Sequence, residues 1–125
     1  MLFLGSTGYA GAALLQAVLR SSNVPAVIYT ITRNPEKAAR LNDVHPAIRA
    51  VHGDFSDTEL ITALATQSDV IVEAADSDNE QLVKALSAGA RKRKENGLAT
   101  YFIHISGTGV LTDDARGMFE GQVVR

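Results

Sequence analysis

The sequence predicts a doubly wound α/β fold, with five parallel strands in the order 3-2-1-4-5. Short apolar runs of strand length alternate with segments of helical pattern, and caps or breakers mark the changes between them. The first change is the glycine-rich run Gly5-Ser6-Thr7-Gly8-Tyr9-Ala10-Gly11, which lies directly between the apolar segments 2–4 and 12–15. In such a sheet the ligand crevice lies beyond the carboxyl ends of the strands.

Five strands are expected, at residues 2–4, 26–32, 50–52, 70–74 and 101–105. The second is rich in β-branched residues and follows Pro25, which favours an extended backbone before it. The third is short and ends at Gly53. The fourth is almost continuously apolar, which is typical of a strand that is buried on both faces.

Start signals precede the helices between these strands. They are Asn34 followed by Pro35, the capping box Ser56-x-x-Glu59, and the capping box Ser77-x-x-Glu80. The helix after Asn34 is expected to end near Leu41, and Gly97 is expected to end the last helix.

Composition limits the class of protein. The chain has 125 residues, of which 46% are hydrophobic, so one domain with a buried core is expected. The absence of cysteine excludes disulfides, thiolate metal sites and a cysteine nucleophile, and the three histidines lack metal-ligand spacing. A net charge of −2 gives no electrostatic reason to expect nucleic acid or membrane binding. With no apolar run near the ~20 residues of a membrane span and no signal peptide, a cytoplasmic protein is the default expectation.

The glycine-rich run predicts a pyrophosphate site. A strand that turns tightly into a helix presents free backbone N–H groups and the positive end of the helix dipole at one point. Gly5 would form the turn, Gly8 would let the diphosphate approach, and Gly11 would let the helix pack closely on the sheet. A tight turn that binds no ligand is the alternative.

The end of the second strand favours NADP(H) over NAD(H). No Asp or Glu is present there to bond the ribose hydroxyls, whereas Arg33 follows the strand and Lys37 lies one helical turn further on. A guanidinium can bond a 2′-phosphate and stack on adenine, and the lysine adds positive charge. The alternative is an ordinary solvated pair at the start of a helix.

Two further strand ends contribute candidates. Asp54 could accept a hydrogen bond from the adenine amino group while Phe55 covers the ring, or Asp54 could be only a turn residue. Ala74 and Ala75 are small enough for the nicotinamide-side ribose to lie against the backbone. The role of Asp76 is left open, since a carboxylate near phosphates is repulsive unless it faces away.

The ordered motifs G-S-T-G-Y-A-G, T-R-N-P-E-K, G-D-F-S-D, D-V-I-V-E-A-A and I-H-I-S-G-T-G-V-L carry a family resemblance. The chain resembles the N-terminal half of an atypical or extended short-chain dehydrogenase/reductase, of the NmrA-like or nucleoside-diphosphate-sugar-epimerase-like kind. The resemblance implies that residues 1–125 are a partial Rossmann domain binding NADP(H) or NAD(H). Many such proteins are reductases, dehydrogenases or epimerases, and others keep the dinucleotide but act as sensors without catalysis.

The resemblance also implies roles for individual residues. It puts the three glycines at the phosphates, Arg33 at the 2′-phosphate, Asp54 at the adenine, and Ala74 and Ala75 at the nicotinamide-side ribose. Ser106 or Thr108 falls where the family has its catalytic hydroxyl, and the choice between the two stays open.

One family feature does not occur in this sequence. These enzymes use a Tyr-x-x-x-Lys pair, in which the phenol exchanges a proton with the substrate. Here the residue four positions after a tyrosine is never lysine: it is alanine after Tyr9, arginine after Tyr29 and isoleucine after Tyr101. The semialdehyde dehydrogenases share the G-x-x-G-Y-x-G turn but need a cysteine, which is also absent.

The chain ends at Arg125, where the family's final strands and substrate-binding part would follow, so a C-terminal truncation is expected. This chain alone is expected to bind a dinucleotide without completing a redox cycle, and strand five would be an exposed edge. A dinucleotide-sensing regulator and a remnant that binds nothing are the alternatives. The small-molecule substrate and the oligomeric state are not predicted.

Overall fold

The computed structural model describes residues 1–107, in which five strands alternate with four helices. The elements are β1 (Leu2–Leu4), α1 (Tyr9–Arg20), β2 (Ile28–Thr32), α2 (Pro35–Val44), β3 (Ile48–His52), α3 (Thr58–Thr66), β4 (Val70–Glu73), α4 (Glu80–Glu95) and β5 (Tyr101–His104).

All strand pairs are parallel, and the sheet order is β3-β2-β1-β4-β5. The predicted fold class and strand order are therefore confirmed. In the register of the central strands, Leu4 of β1 lies opposite Glu73 of β4, which in turn lies opposite His104 of β5. The carboxyl ends of the strands consequently meet at one edge of the sheet, where the glycine-rich run begins.

Two apolar clusters cover the two faces of the sheet. Leu2 and Leu4 pack on the side of α3 and α4, whereas Phe3 between them packs on the side of α1. Alternate side chains of one strand point to opposite faces, so a strand of three apolar residues is buried on both sides. All three are fully buried, and the short β1 forms the middle of the core.

Four strand boundaries differ from prediction. β4 ends at Glu73 and β5 at His104, each one residue before its expected end, and pairing decides the two strand starts that differ. β2 begins at Ile28, two residues after the expected Ala26, and β3 begins at Ile48, two residues before the expected Ala50. The two strands pair from Ile28 opposite Ile48 onward. The exposed Arg49 interrupts the apolar pattern of β3, so the sequence alone showed only its second half.

The start of α2 is as predicted. The Asn34 side chain accepts a hydrogen bond from the Lys37 N–H at 3.1 Å, and Pro35 is the first helical residue. The helix continues to Val44, beyond the predicted end near Leu41.

Both predicted capping boxes are wrong. α3 is capped by Asp57, which accepts from the Leu60 N–H at 3.0 Å, and α4 is capped by Asn79, which accepts from the Leu82 N–H at 3.0 Å. Ser56 lies one residue too early and Ser77 two residues too early. Carboxylate and amide oxygens cap a helix at least as well as hydroxyls do. In each turn the cap is therefore the residue that directly precedes the first helical residue.

The predicted end of α4 is confirmed. Gly97 has a φ of +74°, the left-handed conformation typical of the residue after a helix. The N–H groups of Gly97 and Leu98 bond the carbonyls of Lys94 and Arg93 at 3.0 and 2.9 Å, which closes the helix. No helix of residues 1–107 has the length and apolar character that crossing a membrane would demand.

Candidate functional site

The turn between β1 and α1 requires glycine at two positions. Gly5 has a φ of +81°, and a Cβ there would lie 2.3 Å from the Ala74 carbonyl oxygen. A Cβ on Gly11 would lie 2.0 Å from the Gly5 carbonyl oxygen. The first turn of α1 therefore packs directly on the backbone that ends β1, and this backbone touches the loop after β4.

The N-terminus of α1 has no side-chain cap. Its N-cap is Gly8, whereas the other three helices within residues 1–107 are capped by Asn34, Asp57 and Asn79. The first N–H groups of a helix have no partner within the helix, and the dipole makes this end positive. The start of α1 is thus a place where an anion can accept backbone hydrogen bonds.

A cleft of about 420 Å³ opens at this point along the carboxyl edge of the sheet. It is lined by Gly5, Thr7, Gly8, Ile31, Thr32, Arg33, Asn34, Lys37, Gly53, Phe55, Ala74 and Ala75. The structure thus brings together residues from four strand ends, as expected for the crevice of a doubly wound sheet.

Two cations line the cleft beyond the end of β2. Arg33 and Lys37 are exposed, and the Arg33 side chain is 85% exposed. The Arg33 Nε lies 3.7 Å from Asp54 Oδ2, and the Arg33 carbonyl lies 3.2 Å from His52 Nε2. The backbone of Arg33 is thus bonded to β3. Within residues 1–107 its guanidinium makes one exposed, weak ion pair, so it can turn to a ligand.

Asp54 is a turn residue, which is one of the two roles that the sequence suggested for it. Its Oδ1 accepts from the Ser56 N–H at 2.9 Å, and its carbonyl accepts from the Asp57 N–H at 3.1 Å. Hydrogen bonds from the Ser56 backbone and side chain, helped by the nearby Arg33 charge, lower the pKa of Asp54 from its ordinary value. Asp54 lies in a hollow of about 360 Å³ beside the cleft, which also contains Phe55, Ala75 and Arg33.

Four residues of the glycine-rich run do not offer side chains to the cleft. The Ser6 hydroxyl is buried and lies 2.6 Å from the Thr30 hydroxyl, so it holds the turn to β2. Tyr9 is fully exposed, Ala10 is exposed, and Gly11 is buried behind the turn. These residues would therefore contact a bound ligand through their backbone N–H groups. The exposed Tyr9 side chain is the exception, because it could turn toward a ligand.

The loop after β4 is held by a residue that the sequence analysis did not single out. Glu73 is completely buried, and its Oε1 accepts from the N–H groups of Ala75 and Asp76, both at 2.8 Å. The Asp76 Oδ1 accepts a hydrogen bond from the Asp78 N–H at 3.3 Å, within the same loop. The sequence did offer a signal for Glu73, since it is the one acidic residue in the otherwise apolar run 70–74.

Ser106 is exposed just beyond β5, and Thr108 lies outside the described residues. His104, two residues before Ser106, lies beside Glu73, with 3.0 Å between its Nδ1 and Glu73 Oε2. Residues 1–107 contain no group of three His, Asp or Glu side chains arranged to hold a metal ion.

Some cleft residues were not predicted as ligands. They are Ile31, Thr32, Asn34 and Gly53. All four lie at or directly after the carboxyl ends of β2 and β3, so the rule that points to strand ends would have found them.

Sequence comparisons agree with this geometry. The profile of a family described as NAD(P)H-binding matches residues 5–123. The oxidase ucsJ of an Acremonium species is 33% identical over 110 residues, which are 88% of this chain and 31% of that protein. An uncharacterized protein of Saccharomyces cerevisiae is 29% identical over 68 residues, 54% of this chain and 22% of that protein. The chain thus spans less than a third of the length of these two curated relatives.

Solved structures share the fold. The triphenylmethane reductase of Citrobacter sp., solved with NADP(H), is 24% identical with a TM-score of 0.55, and the match covers 82% of this chain and 35% of that one. A short-chain dehydrogenase from Streptomyces avermitilis is 19% identical with a TM-score of 0.63, over 90% of this chain and 50% of that one. The NADPH-bound carbonyl reductase from chicken fatty liver is 20% identical with a TM-score of 0.59, over 86% and 59%. At these identities the likeness concerns the fold.

Proposed function

The chain belongs to the NAD(P)H-binding family, and on that premise we propose that it is the NADP(H)-binding domain of an oxidoreductase or epimerase of the short-chain dehydrogenase/reductase type. The observation that carries the proposal is the cleft at the uncapped start of α1, with Arg33 and Lys37 on its far side. Free N–H groups suit a pyrophosphate, and two cations nearby suit a further phosphate.

The preference for NADP(H) follows from charge. The end of β2 places Thr32, Arg33 and Asn34 at the cleft and no carboxylate that would bond the ribose hydroxyls of NAD(H). Asp54 comes closest to that region, but its Oδ1 is engaged by Ser56 and its Oδ2 faces Arg33. A 2′-phosphate would therefore meet a net positive surface, and it would replace Asp54 as the partner of Arg33.

The proposed orientation of the dinucleotide follows the lining of the cleft. Its pyrophosphate lies at the first turn of α1, near Gly5 and Gly8. The adenine lies between Arg33 and Phe55, with Asp54 as the acceptor for its amino group. The nicotinamide half lies toward Ala74 and Ala75, on the side where Ser106 follows the end of β5.

We propose Ser106 or Thr108 as the hydroxyl that holds a substrate oxygen in a complete enzyme. The NADP(H) would supply or accept the hydride. The second candidate is a dinucleotide-sensing regulator of the NmrA-like kind, which the resemblance of the ordered motifs to that group supports. A regulator would bind the nucleotide with the same residues and would return it chemically unchanged.

Calorimetric titration of the folded chain with NADPH and NADH tests the proposal. The expected result is tight binding of NADPH, weaker binding of NADH, and loss of the difference in Arg33→Ala. Losing the hydrogen bond to the 2′-phosphate weakens NADPH binding about tenfold, whereas NADH binding should weaken by a smaller factor because it loses only the contact of Arg33 with the adenine. Arg20→Ala is the matched control, since Arg20 is an exposed arginine in the last turn of α1, away from the cleft.

Two results would contradict the proposal. Binding of neither nucleotide by folded protein would leave a domain that has the fold without the ligand. Equal binding of NADPH and NADH, unchanged in Arg33→Ala, would remove the preference for NADP(H) while leaving dinucleotide binding in place.

A further inference from the structure

Glu73 is a buried acidic side chain at the edge of an apolar layer. It is 0% exposed at the end of β4, and its side chain points to the same face of the sheet as Ile71, which packs with Leu2 and Leu4. Burying a carboxylate costs free energy unless the group is paired and hydrogen-bonded. An apolar residue would extend the core here, so the fold by itself does not account for a glutamate.

The contacts of Glu73 lead to one loop. Its Oε1 accepts from two successive backbone N–H groups, those of Ala75 and Asp76, both at 2.8 Å. Its Oε2 lies 3.0 Å from His104 Nδ1, near enough for an ion pair when the imidazole is protonated, although the ring N–H is not aligned for a hydrogen bond. The carboxylate therefore fixes the backbone immediately after β4 and joins it to β5.

The fixed loop forms one wall of the cleft. Ala74 and Ala75 line it, and the Ala74 N–H bonds the Leu4 carbonyl at 3.1 Å. The same loop touches the phosphate-side turn, because a Cβ on Gly5 would lie 2.3 Å from the Ala74 carbonyl oxygen and 2.7 Å from the Ala75 nitrogen. A shift of the loop would change the width of the cleft on this side. It would have a smaller effect on the adenine side, where Ala75 and Asp76 form only one wall of the hollow that contains Arg33 and Phe55.

We propose that Glu73 is a positioning residue for the nicotinamide half of the dinucleotide, an inference that rests on the proposed function. It acts through the backbone of Ala75 and Asp76. By bonding their N–H groups it holds the loop in the position in which the nicotinamide-side ribose can lie against it. Glu73 itself is buried beneath the loop and touches no ligand.

A purely stabilising role is the competing explanation. Replacing a buried ion pair by well-packed apolar residues is often neutral or stabilising, so a contribution to stability alone is a weak reason for this glutamate. The two explanations differ in what they predict for ligands that reach only part of the cleft.

The test compares NADPH with adenosine 2′,5′-bisphosphate, which has the adenine and 2′-phosphate but lacks the nicotinamide half. Calorimetric titrations are made with the wild-type chain, Glu73→Met, which keeps the length and removes the acceptor, and Glu73→Gln, which keeps an oxygen for the loop N–H groups. We expect Glu73→Met to weaken NADPH about tenfold and adenosine 2′,5′-bisphosphate by about threefold or less, with Glu73→Gln close to wild type. Arg33→Ala is the contrast, since it should weaken both ligands.

A second measurement needs no substitution. In the wild-type chain, amide hydrogen exchange at Ala75 and Asp76 should slow more on addition of NADPH than on addition of adenosine 2′,5′-bisphosphate. This measurement decides the question if Glu73→Met does not fold.

The outcomes separate the two proposals. Equal weakening of both ligands in Glu73→Met, or equal effects of both ligands on the exchange of Ala75 and Asp76, would overturn the positioning role and leave NADP(H) binding intact. Failure of the wild-type chain to bind either ligand would overturn the proposed function, and this inference with it.

Discussion

Replacing Gly11 by alanine tests whether the start of α1 binds the phosphates. An added Cβ would lie 2.0 Å from the Gly5 carbonyl oxygen and 2.7 Å from its carbon. Ordinary contact begins at 3.4 Å, so the helix and the turn must separate by about 1.4 Å. A backbone hydrogen bond to a phosphate tolerates far less, because bonds of about 2.9 Å are lost beyond about 3.5 Å.

The magnitudes predict a large effect on binding and a small one on stability. Overpacking costs about 1–3 kcal/mol, and the better helix propensity of alanine returns up to about 1 kcal/mol. The protein should therefore fold, with a lowered Tm. Each lost hydrogen bond to a charged group is worth about 1.5–3 kcal/mol, so NADPH affinity should fall by tenfold or more.

Gly89→Ala is the matched control for this experiment. A Cβ there would lie 2.4 Å from the Ala65 Cβ, between α3 and α4, so it overpacks the fold to a similar degree away from the cleft. Both variants are titrated calorimetrically with NADPH below their measured Tm. Wild-type affinity in Gly11→Ala, or an equal loss in Gly89→Ala, would refute the role given to the first turn of α1.

Two further predictions concern the turns beside the cleft. Hydrogen bonds from Ser56 lower the pKa of Asp54 in the folded state, so the stability that Asp54 contributes is present above its ordinary pKa of 3.8 and is lost as the pH falls through the lower folded value. The difference in unfolding free energy between wild type and Asp54→Ala, measured by urea titration, should shrink below about pH 4, and a difference independent of pH would contradict this. Because Asn79 caps α4 and Ser77 does not, Asn79→Ala should cost about 1 kcal/mol while Ser77→Ala stays within about 0.5 kcal/mol. Equal shifts of Tm in these two variants would restore the capping box as the better account.

Much of the site could be predicted from the sequence because each group of site residues directly follows a strand. The glycine-rich run directly follows β1, and Arg33 directly follows β2, so their positions at the crevice depend only on the element types and the parallel order. Element types were readable since β-branched runs and helix caps are local signals.

The positions of caps and strand starts depended on atoms from other elements. Ile28 and Ile48 begin their strands together because they pair, and the exposed Arg49 hides this in the sequence. Asp57 and Asn79 replaced the expected serines because loop conformation decides which oxygen meets the free N–H groups. Several good caps near one another leave that choice open to the local backbone.

The sequence by itself determined the fold class, the strand order and the two glycine-dependent features of the first turn. Each of these follows from local pattern and from the restricted geometry of parallel β-α units. Only the tertiary structure showed that Glu73 is buried beneath the Ala75–Asp76 loop, that His104 lies against it, and that Asp54 faces Arg33. Glu73 and His104 lie on different strands, as do the loops of Arg33 and Asp54, so these contacts exist only once the sheet has brought the strand ends together. The bonds of Glu73 to Ala75 and Asp76 are local, but they depend on the backbone conformation of the loop after β4.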